Sequence, residues 1–504
     1  MTEGNSYRQI LRSSSIIGGA SVINIVVGLL RMKAAALLLG PAGVGLVGLL
    51  QNMLGTAAGI AGLGVGNVGT RQIAEASASG DVQAVAATRR ALFWLTLALA
   101  VLGALLFWLL RGELAVRVLG EGARARDVGW LALGVGLTVA AASQSALLNG
   151  MRRIGDLARI SIGSALLSTL VAVAAVWHWG EGGILAFVLA APAASFLLGH
   201  WYVAKLGRLH APRSPLPQLV AQWRVMLRLG AAFMASGLVV NLGQLLVRTL
   251  IQRDAGAEAL GHFQAAWLIS MTYLGFVLGA MGTDYYPRLT AAIRDPQAVN
   301  RLVNEQTEVA LLLAGPAFLG MLALAPWVIQ LLYSSEFAEA AAILRWQVLG
   351  DVLKVASWPL GFILLAAGEG RIYMLSESLA IGVFVALVAL LLPRLGVAST
   401  GVAFLGMYVA YLPLVHFLAR RRTGFRWQAG VRRRLGVLTA ACAGVAAAGA
   451  WHPVIGAAVG LPLALAVGMH GLARLGHMAG LAGPVGRLAG LSRKVMMKIG
   501  VWRE

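Results

Sequence analysis

Residues 21–40 read SVINIVVGLLRMKAAALLLG, an otherwise apolar run that carries Arg31 and Lys33 mid-way along it. A cation at the centre of a membrane-spanning helix costs about 2.5–3.5 kcal/mol on insertion scales, so two of them call for compensation. The chemistry they offer is anion binding, since a guanidinium forks onto phosphate oxygens and an ammonium adds a point charge. Asn24 precedes Arg31 by seven residues, and in VVNLGQLLVRTL Asn241 precedes Arg248 by seven. A third polar group lies in ILRWQVLGDVLKVASWPLGF, where Gln347, Asp351 and Lys354 fall at i, i+4 and i+7, on one helix face. Two readings of it stay open. Asp351 and Lys354 neutralise each other, or Asp351, as the one acid near mid-membrane, takes up a proton or a sodium ion while Lys354 joins the cationic surface. Arg345, near the outer end of that run, reads as an interface anchor.

The elements that must hold these residues follow from composition. The chain has 504 residues, 59% hydrophobic and 12% charged, with a mean hydropathy of +0.79. Apolar runs of about 20 residues recur along it, the pattern of an all-α polytopic membrane protein. About 14 such spans are expected, at 14–39, 44–66, 91–110, 128–150, 160–178, 183–204, 229–251, 262–283, 309–333, 342–366, 373–392, 400–419, 435–450 and 454–473. The first run is too long for a removable signal peptide, lacks a clear small-residue cleavage site, and is followed at once by further spans. The single cysteine, Cys442, excludes an internal disulfide and a cysteine metal cage. A net charge of +21 in a soluble chain would point to nucleic acid. Here the basic residues gather in alternate connectors, among them Arg71, Arg89, Arg90, Arg152, Arg153, Lys205, Arg288 and Arg420 to Arg422. The opposite connectors hold only Arg111, Arg117, Arg124, Arg126, Arg253 and Arg394. The positive-inside rule then places both termini in the cytoplasm and leaves nucleic acid out of account.

The polar positions repeat. Gln51 precedes Gly69-Thr70 by eighteen residues, and Gln264 precedes Gly282-Thr283 by eighteen. Together with the Asn–Arg pairs, and with both copies beginning on odd-numbered spans, this is a parallel repeat of two six-helix halves, an architecture of alternating-access transporters. The expected organisation is an N-terminal lobe over 1–206, a cytoplasmic linker over 207–228 marked by Pro212, Pro215 and Pro217, a C-terminal lobe over 229–423, and two further spans with a basic tail over 424–504. If the halves face each other, the repeat sets Arg31 and Arg248 about one shared cavity, with Lys33 and Lys354 adding charge. Asn24, Asn241, Gln51 and Gln264 offer hydrogen bonds to sugar hydroxyls. The blander readings are snorkelling of the long cations to the interface and amide bonds between neighbouring helices. The Gly64-Val-Gly66-Asn-Val-Gly69 match to a dinucleotide fingerprint lies late in a span, and so reads as close helix packing. No P-loop, HExxH, CxxC or Ser-His-Asp pattern stands out, so neither a cofactor nor a metal is expected, and the chain reads as a non-enzyme.

RMKAAALLLGPAGVGLVGLLQ (31–51) and RWQVLGDVLKVASWPLGF (345–362) resemble the Wzx-type flippases of polysaccharide assembly, members of the MOP superfamily. The resemblance covers about residues 10–420, and its most specific stretches are GPAGVGL (40–46) and WQVLGDVLK (346–354). It implies two six-helix lobes around a central cavity, and an undecaprenyl-diphosphate-linked oligosaccharide moved from the inner to the outer leaflet of a bacterial cytoplasmic membrane for O-antigen or exopolysaccharide synthesis. It also implies coupling to an ion gradient and a polymerase or chain-length regulator as a partner. Lys33 and Arg248 fall where relatives carry basic residues, and Asp351 and Lys354 lie in the shared segment. The chain departs from this pattern by Arg31 and by its last two spans, which the lipid II flippase branch of the superfamily also has.

Two rivals have different signatures. A MATE-type multidrug antiporter handles cations and calls for an acid-rich cavity, whereas here Arg31, Lys33, Arg248, Arg345 and Lys354 stand against Asp351. A membrane-embedded glycan-assembly enzyme needs catalytic carboxylates or a large soluble loop, and neither stands out. The topology has its own test: reporter fusions at residues 120 and 425 should score outside and inside respectively, and the opposite pair of results would overturn it.

Overall fold

Glycines at positive φ mark where the long apolar helices break. The structure, a computed structural model, describes residues 3–79, 81–120, 122–207 and 216–479. The described residues are helical with short connectors and contain no strand: α1 Glu3–Gly62, α2 Val65–Ala78, α3 Val82–Leu109, α4 Arg111–Leu114, α5 Ala125–Gly150, α6 Ile154–Trp179, α7 Ile184–Ala204, α8 Leu216–Asp254, α9 Gly256–Ala292, α10 Pro296–Leu332, α11 Ala340–Ala366, α12 Gly370–Leu395, α13 Ser399–Thr423, α14 Ala429–Trp451 and α15 Pro453–Ala479. Among them, nine helical stretches are long and apolar enough to cross a membrane. Three of these, Gly18–Gly62, Ile154–Ala204 and Gly370–Thr423, run 45, 51 and 54 residues. Each is longer than the ~20 residues one crossing needs, and each is broken near its middle.

The break in α1 is at Gly40, whose φ of 65° and ψ of −171° are non-helical, with Pro41 beside it. The expected GPAGVGL turn is thus a kink with no loop. The second run ends at Leu63-Gly64, where φ values of 43° and 64° start α2 on a new axis. A polytopic all-helical membrane fold is what the hydropathy pattern anticipated. The expected seventh and eighth spans lie on α8 and α9, which fall outside the nine stretches.

The chain divides into two compact units, the first made of residues 1–261 with 332–334 and the second of 262–331 with 335–504. In the first unit α1 packs against α3, α5, α6 and α8, and α5 against α3 and α7. Val65, Val68, Ile73, Leu92, Leu95, Leu147, Leu219 and Met226 form one of its buried clusters. Leu219 and Met226 come from the expected linker. From Leu216 that segment is the start of α8, where Pro217 is tolerated because a first-turn residue has no intrahelical N–H bond to lose. Its stripe Leu219, Trp223, Met226 faces the cluster, and the Trp223 indole donates to the Ala91 carbonyl at 2.9 Å. Residues 208–215 and the basic tail from 480 lie outside the described residues. In the second unit α11 packs against α12, α13 and α14, and α14 against α15. Glu308 of α10, about nine-tenths buried, ties that bundle to both last helices through Arg434 at 2.7 Å and Arg474 at 3.3 Å.

Close backbone approach fixes the first unit. A Cβ on Gly64 would collide with the Gly230 carbonyl of α8, and one on Gly45 would stand 2.5 Å from the Ala257 carbonyl. Of the fingerprint glycines, Gly64 and Gly69 are packing residues, since a Cβ on Gly69 would reach within 2.8 Å of Leu92 Cδ1, whereas one on Gly66 would have room. Gly64→Ala should therefore cut the yield of monodisperse protein in size-exclusion chromatography, because both the positive φ and the α8 contact oppose a side chain. Gly59→Ala, which meets nothing within 4 Å, should not.

Candidate functional site

In the first unit the mid-helix cations are held by backbone carbonyls and a ring. Arg31 Nη2 donates to the Phe187 carbonyl of α7 at 2.7 Å, and its guanidinium carbon sits 4.2 Å from the Phe187 ring centroid. A desolvated cation–π contact of this type is worth about 2 kcal/mol, comparable with the insertion cost of the charge. Arg31 has no carboxylate within ion-pair distance among the described residues, and its Nε has no partner. Seven residues earlier on α1, Asn24 Nδ2 donates to Ser161 Oγ of α6 at 2.6 Å. Here the amide does join two helices, as the blander reading of such residues has it. Lys33 donates to the Tyr333 carbonyl. Arg248, only 3% exposed, donates to the Gln244 carbonyl one turn before it on α8 at 3.2 Å.

Positions matched by the sequence repeat differ in environment. Asn24 is half-buried and bonded, whereas Asn241 is exposed on α8. Gln51 is half-buried on α1, and Gln264 is buried on α9. Asn24, Arg31, Lys33, Gln51, Asn241 and Arg248 belong to the first unit, and Gln264, Asp351 and Lys354 to the second.

The second unit contains a buried polar cluster. Asp351 of α11 is fully buried, and its Oδ2 accepts from Ser270 Oγ and Tyr273 Oη of α9, each at 2.6 Å. Its Oδ1 has no partner, nor has either amide atom of Gln347, one turn earlier and also fully buried. No ion pair joins Asp351 to Lys354. Lys354 Nζ instead contacts Met271 Sδ at 3.3 Å and lies 5.9 Å and 6.0 Å from the Phe404 and Tyr408 ring centroids. Both Asp351 and Glu377 act on its charge. Glu377 of α12 accepts a 2.5 Å bond from Tyr411 of α13.

Asp351 is therefore not the one acid of the region. Glu377 carries a second carboxylate into the cluster from the run at 373–392, where its sequence signal, an acid inside an apolar stretch, was present near the start of that run. The guanidinium of Arg345 lies against the end of α14, with Nε 3.4 Å from where a Cβ of Gly449 would stand. Trp267, Phe384 and Phe404 stack around this region with centroids 5.7–6.1 Å apart. No group of His, Cys, Asp and Glu fit to hold a metal occurs among the described residues.

Comparison with known proteins gives three results. A family described as "Polysaccharide biosynthesis protein" matches residues 10–292. The "Lipid III flippase" of Escherichia coli K12 is 24% identical over 423 residues, which cover 82% of this chain and 99% of that protein; its counterpart in Shigella flexneri matches equally. Among solved structures, an inward-facing MATE family multidrug resistance transporter of the MOP superfamily aligns with a TM-score of 0.68 at 17% identity, over 82% of this chain and 99% of that one. The lipid II flippase MurJ, in an inward closed conformation, aligns with a TM-score of 0.67 at 11% identity, over 92% of this chain and 99% of that one. At such identities these likenesses show the fold, a multi-pass helical membrane architecture.

The hydroxyl bonds on Asp351 can be weighed by a double-mutant cycle. A hydrogen bond to a charged group contributes about 1.5–3 kcal/mol, so Ser270→Ala and Tyr273→Phe should each lower the melting temperature of the detergent-solubilised protein. In an Asp351→Asn background the same changes should cost less; equal costs in both backgrounds would remove the coupling.

Proposed function

We propose, from the premise that the chain belongs to the polysaccharide biosynthesis protein family, that it flips an undecaprenyl-diphosphate-linked oligosaccharide from the inner to the outer leaflet of a bacterial cytoplasmic membrane. The observation that carries this reading is the match to Lipid III flippase over 99% of that protein's length, with no large soluble insertion among the described residues. A diphosphate cannot cross hydrocarbon unaided, because its charge loses hydration worth many kcal/mol. Cations presented inside the membrane replace that hydration while the polyprenyl tail stays in lipid. Arg31, Lys33 and Arg248 are the residues to do so in the first unit, and Lys354 in the second. Arg31 is poised for the exchange, since its bond to one backbone carbonyl and its bare Nε leave a guanidinium that a phosphate can take over at little cost. Asn24, Asn241, Gln51 and Gln264 contribute hydrogen bonds to the sugars.

Coupling to a proton or sodium gradient is assigned to Asp351. Its free Oδ1 and the unpartnered Gln347 amide, one turn apart on α11, offer oxygens to a cation without dismantling the Ser270 and Tyr273 bonds. The lobe division at 206 and 229, alternating access, cytoplasmic termini and an O-antigen or exopolysaccharide pathway complete the proposal. MATE-type antiport is the second reading, favoured by the fold likeness and by the buried Asp351 and half-buried Glu377 of the second unit. Against it, Lys354 sits under the charges of both acids, and the cations of the first unit would repel a cationic drug.

Complementation of a flippase-deficient strain separates these readings. Arg31→Ala and Arg248→Ala should each reduce surface glycan at least tenfold at normal membrane abundance, and full glycan in both would sink the phosphate role. In vesicles, Asp351→Asn should abolish the dependence of transport on the proton or sodium gradient; an unaltered dependence would take the coupling role from it.

A further inference from the structure

A cavity in the first unit lies away from Arg31 and Arg248. Its volume is about 490 Å³, inside the roughly 300–1,000 Å³ range of small-molecule sites. It opens where the start of α3 meets the ends of α5 and α7, three helix ends that the antiparallel chain path brings to one side of the unit. Two cations, Arg89 and Arg90, line it together with Ser143, Gln144 and His200, and no acid is among its lining residues. One step further along α3 the lining turns apolar, with Leu92 and Phe93.

Three observations fix the level of this cavity and its chemistry. Lys205, just past α7, lies 3.3 Å from the Trp201 ring centroid and 5.0 Å from that of Tyr202, an aromatic and lysine belt of the kind that marks a membrane interface. Phe93 and Trp94, 57% and 50% exposed, begin the apolar face of α3 directly after the two arginines. The Gln144 Oε1 is buried without a partner against Gly199, where any Cβ would collide with it. Arginines at headgroup depth above an apolar cleft match a phosphate carried on a hydrocarbon tail. Positive-inside bias alone would place arginines on this face, yet it builds no cavity beneath them.

We propose that this cavity, at the junction of α3, α5 and α7, is a binding site for an anionic lipid phosphate. Arg89 and Arg90 hold the phosphate, and Phe93, exposed on α3, receives the first methylenes of the tail. The site stands apart from the residues assigned to transport, so it can exist whether or not the flippase reading holds. Its ligand is either a phospholipid of the surrounding leaflet or a polyprenyl phosphate, which share this chemistry.

Native mass spectrometry of the purified full chain tests it with three probes: phosphatidylglycerol, phosphatidylethanolamine of the same acyl chains, and undecaprenyl phosphate. The wild type should retain phosphatidylglycerol at least tenfold over phosphatidylethanolamine. Arg89→Gln/Arg90→Gln should lose that preference, and Arg89→Lys/Arg90→Lys should keep most of it. Because Arg89 also donates to the Gly207 carbonyl at 3.0 Å, Arg90→Gln alone is read if the double variant does not fold, with a loss of at least threefold expected. Displacement of phosphatidylglycerol by one equivalent of undecaprenyl phosphate supports the site with the polyprenyl lipid as its ligand, and retention supports it with the phospholipid. Equal retention of the two phospholipids by the wild type, or an undiminished preference in the glutamine variants, overturns it.

Discussion

Hydrocarbon offers no hydrogen bonds, so each polar group placed inside a membrane must find its partner within the protein. That constraint accounts for the helices, since only an internally bonded backbone crosses, and it accounts equally for the side chains. Arg31 takes a carbonyl and a ring on α7, Lys33 a carbonyl at Tyr333, Arg248 a carbonyl one turn back, and Asp351 two hydroxyls of α9. In each of these bonds the partner is a neutral dipole, which lets the charge persist. A carboxylate beside Arg31 would cancel the feature that a diphosphate needs.

The two units meet this demand in different ways. The first gathers cations and closes its packing through glycines, with the α1–α2 junction and α8 approaching at Gly64 and Gly230 without side chains between them. The second gathers a lysine and two acids inside an aromatic shell, and its last two helices are anchored by Glu308 to Arg434 and Arg474. A cationic surface for a phosphate and a balanced cluster for a small cation are complementary requirements of the proposed gradient-driven transport. Arg31 Nε, Asp351 Oδ1 and the Gln347 amide, on residues given proposed roles, are among the polar atoms left without partners; others, such as Asn52 Oδ1, Thr56 Oγ1 and Ser399 Oγ, lie elsewhere.

Much of the site was legible before any coordinates. A charge inside an apolar run is conspicuous because its cost is large and local, which is how Arg31, Lys33, Arg248, Asp351 and Lys354 stood out. Other features were less visible. Leu219, Trp223 and Met226 were hidden among cations and prolines that read as a linker, although their spacing is that of a buried helical stripe. Glu377 sits near the edge of its run, where an acid costs less and draws less notice. The repeat matched Asn24 with Asn241 by spacing, but spacing does not carry exposure.

The sequence by itself determined the class of molecule. Hydropathy sets which segments enter the membrane, and glycines able to take a positive φ permit the breaks between helices, because both depend on residues close together in the chain. The tertiary structure alone decided what each intramembrane charge touches. It set Phe187 beneath Arg31 from 156 positions away, Ser270 and Tyr273 on Asp351 from 81 and 78, and Lys354 within the field of both Asp351 and Glu377. Partners so distant in the chain are chosen by the packing of whole helices, and no local rule of composition or periodicity contains them.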